Sequence, residues 1–383
     1  MPSTATNETR LFHPLKIGPI TLDHRIAMAP LTRCRATADR VPTPLMKEYY
    51  SQRASITGTL LITEGTLVSP AASGGFPCAP GIWRDDQIAT WKEITDEVHR
   101  KGSFIFVQLF AIGRAADATI AESEGVDIVA PSAISIPHAE RPGAPTPRAM
   151  SLEEIKQTVE DFVIASKNAM SAGFDGVEIH GSNGYLLDQF LQDTSNHRND
   201  EYGGTIANRS RLLHEVLTQV SSAIGPDRVG LRLSPWSLFQ GMRMADPIPQ
   251  FADIIDKASA LDLAFLHLVE SRMSGASEIE RSASDEAIES LDFAYRRWTG
   301  SPILVAGGFR LENAQRLVDE QYPDKDIVVV FGRHFISNPD LVFRLKENVA
   351  LAKYDRETFY VANEVRGYVD YPFSREYEAS VAA

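Results

Sequence analysis

His180, Asn183 and Tyr185 fall within six residues of one another, in the run His180-Gly181-Ser182-Asn183-Gly184-Tyr185. An imidazole and a carboxamide side by side can both donate to one carbonyl oxygen, as an oxyanion site does. A phenol beside them can supply a proton. Each residue also has a plainer reading: a histidine is more often a satisfied core or surface group, and Asn-Gly is a common turn. A second kind of chemistry is suggested by Gly307-Gly308 and Gly332-Arg333, each of which follows a short apolar run. Glycines let backbone amides come close to an anion, and arginine adds a two-pronged charge. Either pair alone reads as a turn.

What must position these groups is a recurrent strand. Short apolar runs occur at 25–30, 59–64, 103–109, 173–179, 228–234, 263–269, 302–306 and 326–331. Most are continuous β-branched or leucine stretches, the pattern of parallel strands buried on both faces. Helical segments follow them, beginning near Pro44, Asp86, Ser151, Asn208, Pro247, Asp285, Leu311 and Asn338. Ser151-Leu152-Glu153-Glu154 is a capping box, in which serine and glutamate each take an orphan amide, and Ile155, Val159, Phe162, Val163 and Ala169 follow at helical spacing. Eight strand–helix alternations predict an α/β protein of the (β/α)8 TIM-barrel class. A doubly wound sheet is weakened because no Gly-x-Gly-x-x-Gly turn follows the first strand. The chain reads as a single domain over 1–383. The stretch of about 111–150 after the third strand is too long for a plain barrel loop, and is expected to form a lid. Within it, 128–130 and 134–136 suggest a hairpin.

In a barrel the chemistry sits at the C-terminal strand ends. Those ends carry Pro30-Leu31-Thr32, Glu64-Gly65, Gln108-Leu109-Phe110, His180 to Tyr185, Arg232, His267, Gly307-Gly308 and Gly332-Arg333. Glycine pairs on the last two strands of a barrel coincide with the recurrent barrel phosphate site, so a phosphate-bearing ligand is predicted there.

Composition narrows the partners. Hydrophobic residues make up 43% and charged residues 23%, which is ordinary for a globular protein. A formal net charge of −13 argues against nucleic acid, whose phosphates need a positive face. Two cysteines, Cys34 and Cys78, support neither a metal framework nor a disulfide scaffold. With no apolar signal core and no run of about 18 apolar residues, the expectation is a soluble, cytoplasmic protein acting on a small molecule, as a monomer or homodimer.

The segment from His180 through Gln189-Phe190, followed by Asn199-Asp200-Glu201-Tyr202-Gly203-Gly204 and Asn208-Arg209, closely resembles the hallmark of the Old Yellow Enzyme family. So do Met28-Ala29-Pro30-Leu31-Thr32-Arg33, Ile62-Thr63-Glu64-Gly65, and the run from Gly332-Arg333 through Asn338-Pro339-Asp340-Leu341. Lys353-Tyr354-Asp355-Arg356 with Phe359-Tyr360, and Gly367 through Pro372, complete a match that runs from about Leu11 to Tyr371. Tyr49-Tyr50, Gln52-Arg53-Ala54, His267-Leu268 and Ser271-Arg272 resemble fungal ene-reductases of alkaloid-type secondary metabolism.

The resemblance implies noncovalent FMN with NADPH or NADH as reductant. Pro30, Leu31 and Thr32 would contact the flavin, Gly65 would pass beneath it, and Gln108 would bond its pyrimidine edge. Arg232 would stand where the reduced flavin gathers negative charge. Gly307, Gly308, Gly332 and Arg333 would hold the phosphate, and Phe359 and Tyr360 would border the cofactor. Phe110, Phe239 and Tyr360 would surround the substrate. The implied reaction is a ping-pong reduction of the C=C bond of an α,β-unsaturated carbonyl compound: His180 and Asn183 bind its carbonyl, the reduced flavin passes hydride to Cβ, and Tyr185 protonates Cα. Three departures from relatives stand out: Phe110 where many have tryptophan, Gly308 where some have asparagine, and a small, polar 273–284 loop. Together they suggest a roomier pocket. The competing readings are an FMN-containing isomerase or cyclisation catalyst, a non-catalytic binding barrel, and a phosphosugar enzyme. The last has little support, because no catalytic lysine or carboxylate pair stands at the strand ends.

Overall fold

A computed structural model of the chain describes residues 9–275, 277–278 and 289–382. Eight parallel strands close into a barrel. They are β1 (Ile26–Met28), β2 (Leu60–Ile62), β3 (Phe104–Phe110), β4 (Gly176–Gly181), β5 (Val229–Leu233), β6 (Phe265–Val269), β7 (Ile303–Ala306) and β8 (Ile327–Phe331). Each pairs with its neighbours in chain order, β8 pairs with β1, and β2 pairs with β3 through Leu60↔Phe104 and Ile62↔Phe106. The ring is therefore complete and leaves no barrel edge open.

Alternation along each strand separates two cores. On β4, Val177 and Ile179 face outward with Leu231, Leu233, Leu266 and Leu268, packing under the helices. Inside the barrel, Ala27, Leu60, Ile62, Phe106, Phe265, Leu304 and Val328 fill the lower layers. An antiparallel hairpin of Leu15–Ile17 and Ile20–Leu22 contributes Leu15, Ile17, Ile20 and Leu22 to that inner cluster and stoppers the N-terminal end. A packed lower barrel leaves only the upper, C-terminal end for chemistry.

The outer helices include α1 (Pro44–Arg53), α2 (Asp85–Arg100), α3 (Leu152–Ser171), α4 (Arg211–Ile224), α5 (Ile248–Ser259), α6 (Asp292–Arg297), α7 (Leu311–Arg316) and α8 (Leu341–Lys346). The expected capping box of α3 is present, with Ser151 and Glu154 each accepting from the other's backbone amide. On α4, Leu212, Leu213, Val216, Leu217 and Val220 form the buried stripe that drives it onto the sheet. No described helix is long and apolar enough to cross a membrane.

Three expectations need correction or limits. The hairpin of 128–130 with 134–136 does not form: Val129–Ala130 pairs in parallel with Arg148–Ala149, and 134–136 lies outside any strand. The helix expected to begin near Asn338 is α8, which starts at Leu341, and a separate short helix, Arg333–Ser337, precedes it; between them Asn338 turns inward, donating to His334 O and accepting from Ala352 N. The helix start at Asp285 and the 279–284 part of the small, polar loop lie outside the described residues.

Candidate active site

A cavity of about 910 Å³ opens at the C-terminal end of the barrel. It is lined by Pro30, Leu31, Thr32, Gln108, His180, Asn183, Tyr185, Arg232, Phe239, Gly307, Gly308, Gly332, Arg333, Phe359 and Tyr360. Residues spread over 330 positions of sequence thus converge on one space. Gly65 and Phe110 do not line it. Phe110 is buried behind the site, face to face with His180 at 6.1 Å between centroids and edge-on to Tyr185 at 5.4 Å. Gly65 lies against that ring, so close that a Cβ there would come 3.0 Å from Phe110. The ring at 110 therefore supports the two site residues, rather than shaping the wall directly.

The end of β4 is held in a definite conformation. Asn183 has φ +57° and Gly184 φ +72°, the left-handed region that asparagine and glycine tolerate best. Ser234, just past the end of β5, accepts from Asn183 N at 2.8 Å, and Asp188 accepts from Gly184 N at 2.8 Å. Gln240 Nε2 donates to Asn183 O at 3.0 Å. These bonds consume backbone groups and leave the Asn183 carboxamide to the cavity.

Burial, with the Arg232 guanidinium nearby, holds the His180 imidazole well below its ordinary pKa, so it is neutral. The Ser182 hydroxyl lies 3.0 Å from His180 Nδ1. With Ser182 as donor, the ring carries its proton on Nε2 and can donate to a ligand oxygen. Burial pushes the Tyr185 phenol up, so it stays protonated and available as an acid.

Beneath these groups lies a buried polar layer. Register places Arg232 beside both His180 and His267, and Gln108 beside Glu178. Gln108 Nε2 donates to Glu178 Oε1 at 2.7 Å, and His267 Nδ1 meets Glu178 Oε2 at 2.6 Å. Glu178 and His267 have no exposed surface. Among the described residues Arg232 Nε is buried without a hydrogen-bond partner, an unusual cost for a native interior and a donor that suits an acceptor group on a ligand. Glu178 escaped the sequence reading, since one carboxylate inside an apolar strand carries no local signature.

At the other end of the cavity, Gly307, Gly308, Gly332 and Arg333 line the same space. Gly308 has φ +62°, which disfavours any side chain, and a Cβ there would collide with the Glu278 carboxylate. Arg333 pairs with Glu278 at 3.2 Å and donates to Tyr354 Oη at 3.2 Å. A carboxylate thus stands beside glycine backbone and arginine, in the place that suits a phosphate. Glu278 is 43% exposed, and such pairs are weak enough for a stronger anion to replace. The size of the cavity, the unpartnered Arg232 Nε and the Arg333–glycine cradle together fit FMN.

The last part of the lining is strapped on from the C-terminal segment. Arg33 Nε donates to Phe359 O at 3.1 Å and Arg33 Nη2 to Gly367 O at 2.7 Å. Arg35 donates to Phe359 O and Thr358 O, and Arg53 to Ile336 O and Tyr368 O. Tyr49 and Tyr368 stack at 4.2 Å with Arg33 alongside both rings. Three buried cations spend most of their hydrogen bonds on carbonyls, and those to Phe359 O and Thr358 O fix this stretch at the cavity. These arginines were also missed. The cluster Arg33-Cys34-Arg35 straight after a strand was the available signal.

Glu64 completes the support. Its Oε2 accepts from Arg33 N at 3.2 Å and Cys34 N at 3.3 Å, which holds Cys34 at φ +58°. Burial raises its pKa to about 7. Of the 111–150 segment only Glu140 reaches the cavity lining.

The model of the NADH:flavin oxidoreductase / NADH oxidase family matches residues 10–352. A chanoclavine-I aldehyde reductase of Penicillium roqueforti is 50% identical over 377 residues, which is 98% of this chain and 99% of the relative. A probable inactive dehydrogenase of Claviceps purpurea is 48% identical over 382 residues, covering 98% and 99%. The crystal structure of Old Yellow Enzyme from a Pichia species superimposes with a TM-score of 0.86 at 39% identity, covering 96% of this chain and 94% of that one. A flavin-dependent oxidoreductase fold, a cavity suited to FMN and relatives matched almost end to end agree: the chain belongs to the NADH:flavin oxidoreductase / NADH oxidase family, among the homologues of Old Yellow Enzyme.

Proposed function

We propose that the protein reduces the C=C bond of α,β-unsaturated aldehydes or ketones in a ping-pong reaction with NADPH or NADH. The observation that carries this reading is that the His180 ring, the Asn183 carboxamide and the Tyr185 phenol share one cavity wall, with the His180 and Tyr185 rings 5.1 Å apart. FMN, when bound, supplies the hydride. His180 Nε2–H and the Asn183 amide would hold the substrate carbonyl oxygen and draw electron density from Cβ, as two donors aimed at developing charge do. Tyr185 would deliver its proton to Cα. Phe110 behind both rings would keep donor and acid in fixed relation. Arg232 would stabilise negative charge at the ligand face it meets, and Arg333 with Gly307, Gly308 and Gly332 would hold the phosphate. That a relative is named an aldehyde reductase supports a carbonyl-bearing substrate. Anaerobic titration tests the reading. The yellow protein should bleach on adding NADPH, regain its colour on adding a simple enal or enone, and stay bleached with the saturated analogue. Equal recovery with saturated and unsaturated compounds would sink it.

A further inference from the structure

Glu178 lies in the barrel with both carboxylate oxygens committed to donors. Oε1 takes Gln108 Nε2–H at 2.7 Å, and Oε2 takes His267 Nδ1–H at 2.6 Å. A carboxylate only accepts, so the Gln108 carboxamide must turn its NH2 toward Glu178. Its oxygen is then the end of the carboxamide left to the cavity, which Gln108 lines. The polarity that Gln108 shows a ligand is thus set from β4 rather than by Gln108 itself.

We propose that Glu178 is a positioning residue that makes Gln108 an acceptor toward the cavity. The site therefore takes a ligand group that donates there, which for FMN is the imide N–H of the isoalloxazine. The inference rests on reading this cavity as the FMN site. Substitution gives it an unusual signature. In Glu178→Gln with His267 still protonated on Nδ1, the new amide oxygen accepts from that N–H, so the new NH2 faces Gln108. Gln108 must then turn its oxygen inward and its NH2 to the cavity, donor against donor. Glu178→Met removes the same charge but imposes no orientation, and Gln108 is free to keep its oxygen on the ligand. The near-isosteric variant should therefore be the more harmful. A carboxylate that served only as counter-charge to Arg232 predicts equal effects.

The test uses apoprotein prepared from each holoenzyme and titrated with FMN by flavin fluorescence. Absorbance across rising pH then follows ionisation of the bound imide, with Arg232, His180 and His267 common to all variants. Glu178→Gln should bind FMN about tenfold or more weakly than Glu178→Met, the scale of one hydrogen bond turned against itself. Its imide should ionise about one pH unit lower, since a donor at that position favours the anion. The exchange variant Gln108→Glu/Glu178→Gln returns an acceptor to the cavity and should recover most of the loss. Equal affinities and equal imide ionisation in the Gln and Met variants, or no recovery on exchange, overturn the proposal while leaving the FMN site intact. A wild-type protein that binds no FMN overturns the site reading and this proposal with it.

Discussion

The Arg333 guanidinium and the Glu278 carboxylate lie 3.2 Å apart beside the glycines that end β7 and β8. The pairing marks where a phosphate belongs, because the same guanidinium and backbone serve a phosphate better than a half-exposed carboxylate. Arg333→Ala should weaken FMN binding by about 10- to 100-fold, the loss expected of a charge-assisted contact. Glu278→Gln should leave FMN affinity unchanged or tighter, since a competing anion is gone. Fluorescence titration of both apoproteins checks this. Arg333→Ala binding as tightly as wild type would remove Arg333 from the phosphate site.

His180 and Asn183 are expected to act as a pair on one oxygen. A phenol bound over the flavin is expected to give a long-wavelength charge-transfer band, and the double variant His180→Ala/Asn183→Ala should lose it. A band of undiminished strength would mean that the phenolate is held by other residues.

Tyr185→Phe should separate the two halves of the turnover. Reduction of the enzyme by NADPH requires no proton from the phenol and should proceed at nearly the wild-type rate. Turnover of a simple enone should slow by about 100- to 10,000-fold, the usual contribution of a positioned general acid. Stopped-flow traces of each half decide it. Equal slowing of both would make Tyr185 structural, and slowing of neither would assign the proton to another group or to water.

Glu64 predicts a pH dependence of stability. Burial raises its pKa in the folded protein from 4.5 to about 7, so over that window the native state binds more protons than the unfolded chain. Stability from this group is therefore full below about pH 4.5 and declines as pH rises through about 7, with a ceiling of about 3 kcal/mol. Glu64→Gln keeps an acceptor for the Arg33 and Cys34 amides and removes the titration. Urea unfolding between pH 5 and 8 should show wild type losing stability relative to the variant as pH rises. A constant difference would mean that Glu64 does not titrate in this range.

The fold was legible because its signal is repetitive. Eight apolar runs, each buried on both faces, need no partner information to be seen. The site was legible where chemistry is written in neighbouring letters, as in His180 to Tyr185 and the two glycine pairs. It was illegible where one residue acts through distant ones. Glu178 meets Gln108 and His267 across 70 and 89 positions, and Arg33 meets Gly367 across 334. The misjudged hairpin has the same cause: Val129 has the look of a strand, but its partner is Arg148, brought alongside by the intervening loop. Phe110 was expected on the substrate wall, and only the geometry shows it one layer back, bracing His180 and Tyr185.

In the proposed reaction hydride and proton go to the two carbons of a C=C bond, and the carbonyl stays intact. The most direct measurement is NMR of the product from an α,β-unsaturated aldehyde, NADPH and the holoenzyme in D2O. The expected product is a saturated aldehyde with one deuterium at Cα, delivered through Tyr185, and hydrogen from the nicotinamide at Cβ. An allylic alcohol with the C=C bond preserved, or an isomerised alkene formed without consumption of NADPH, would contradict it.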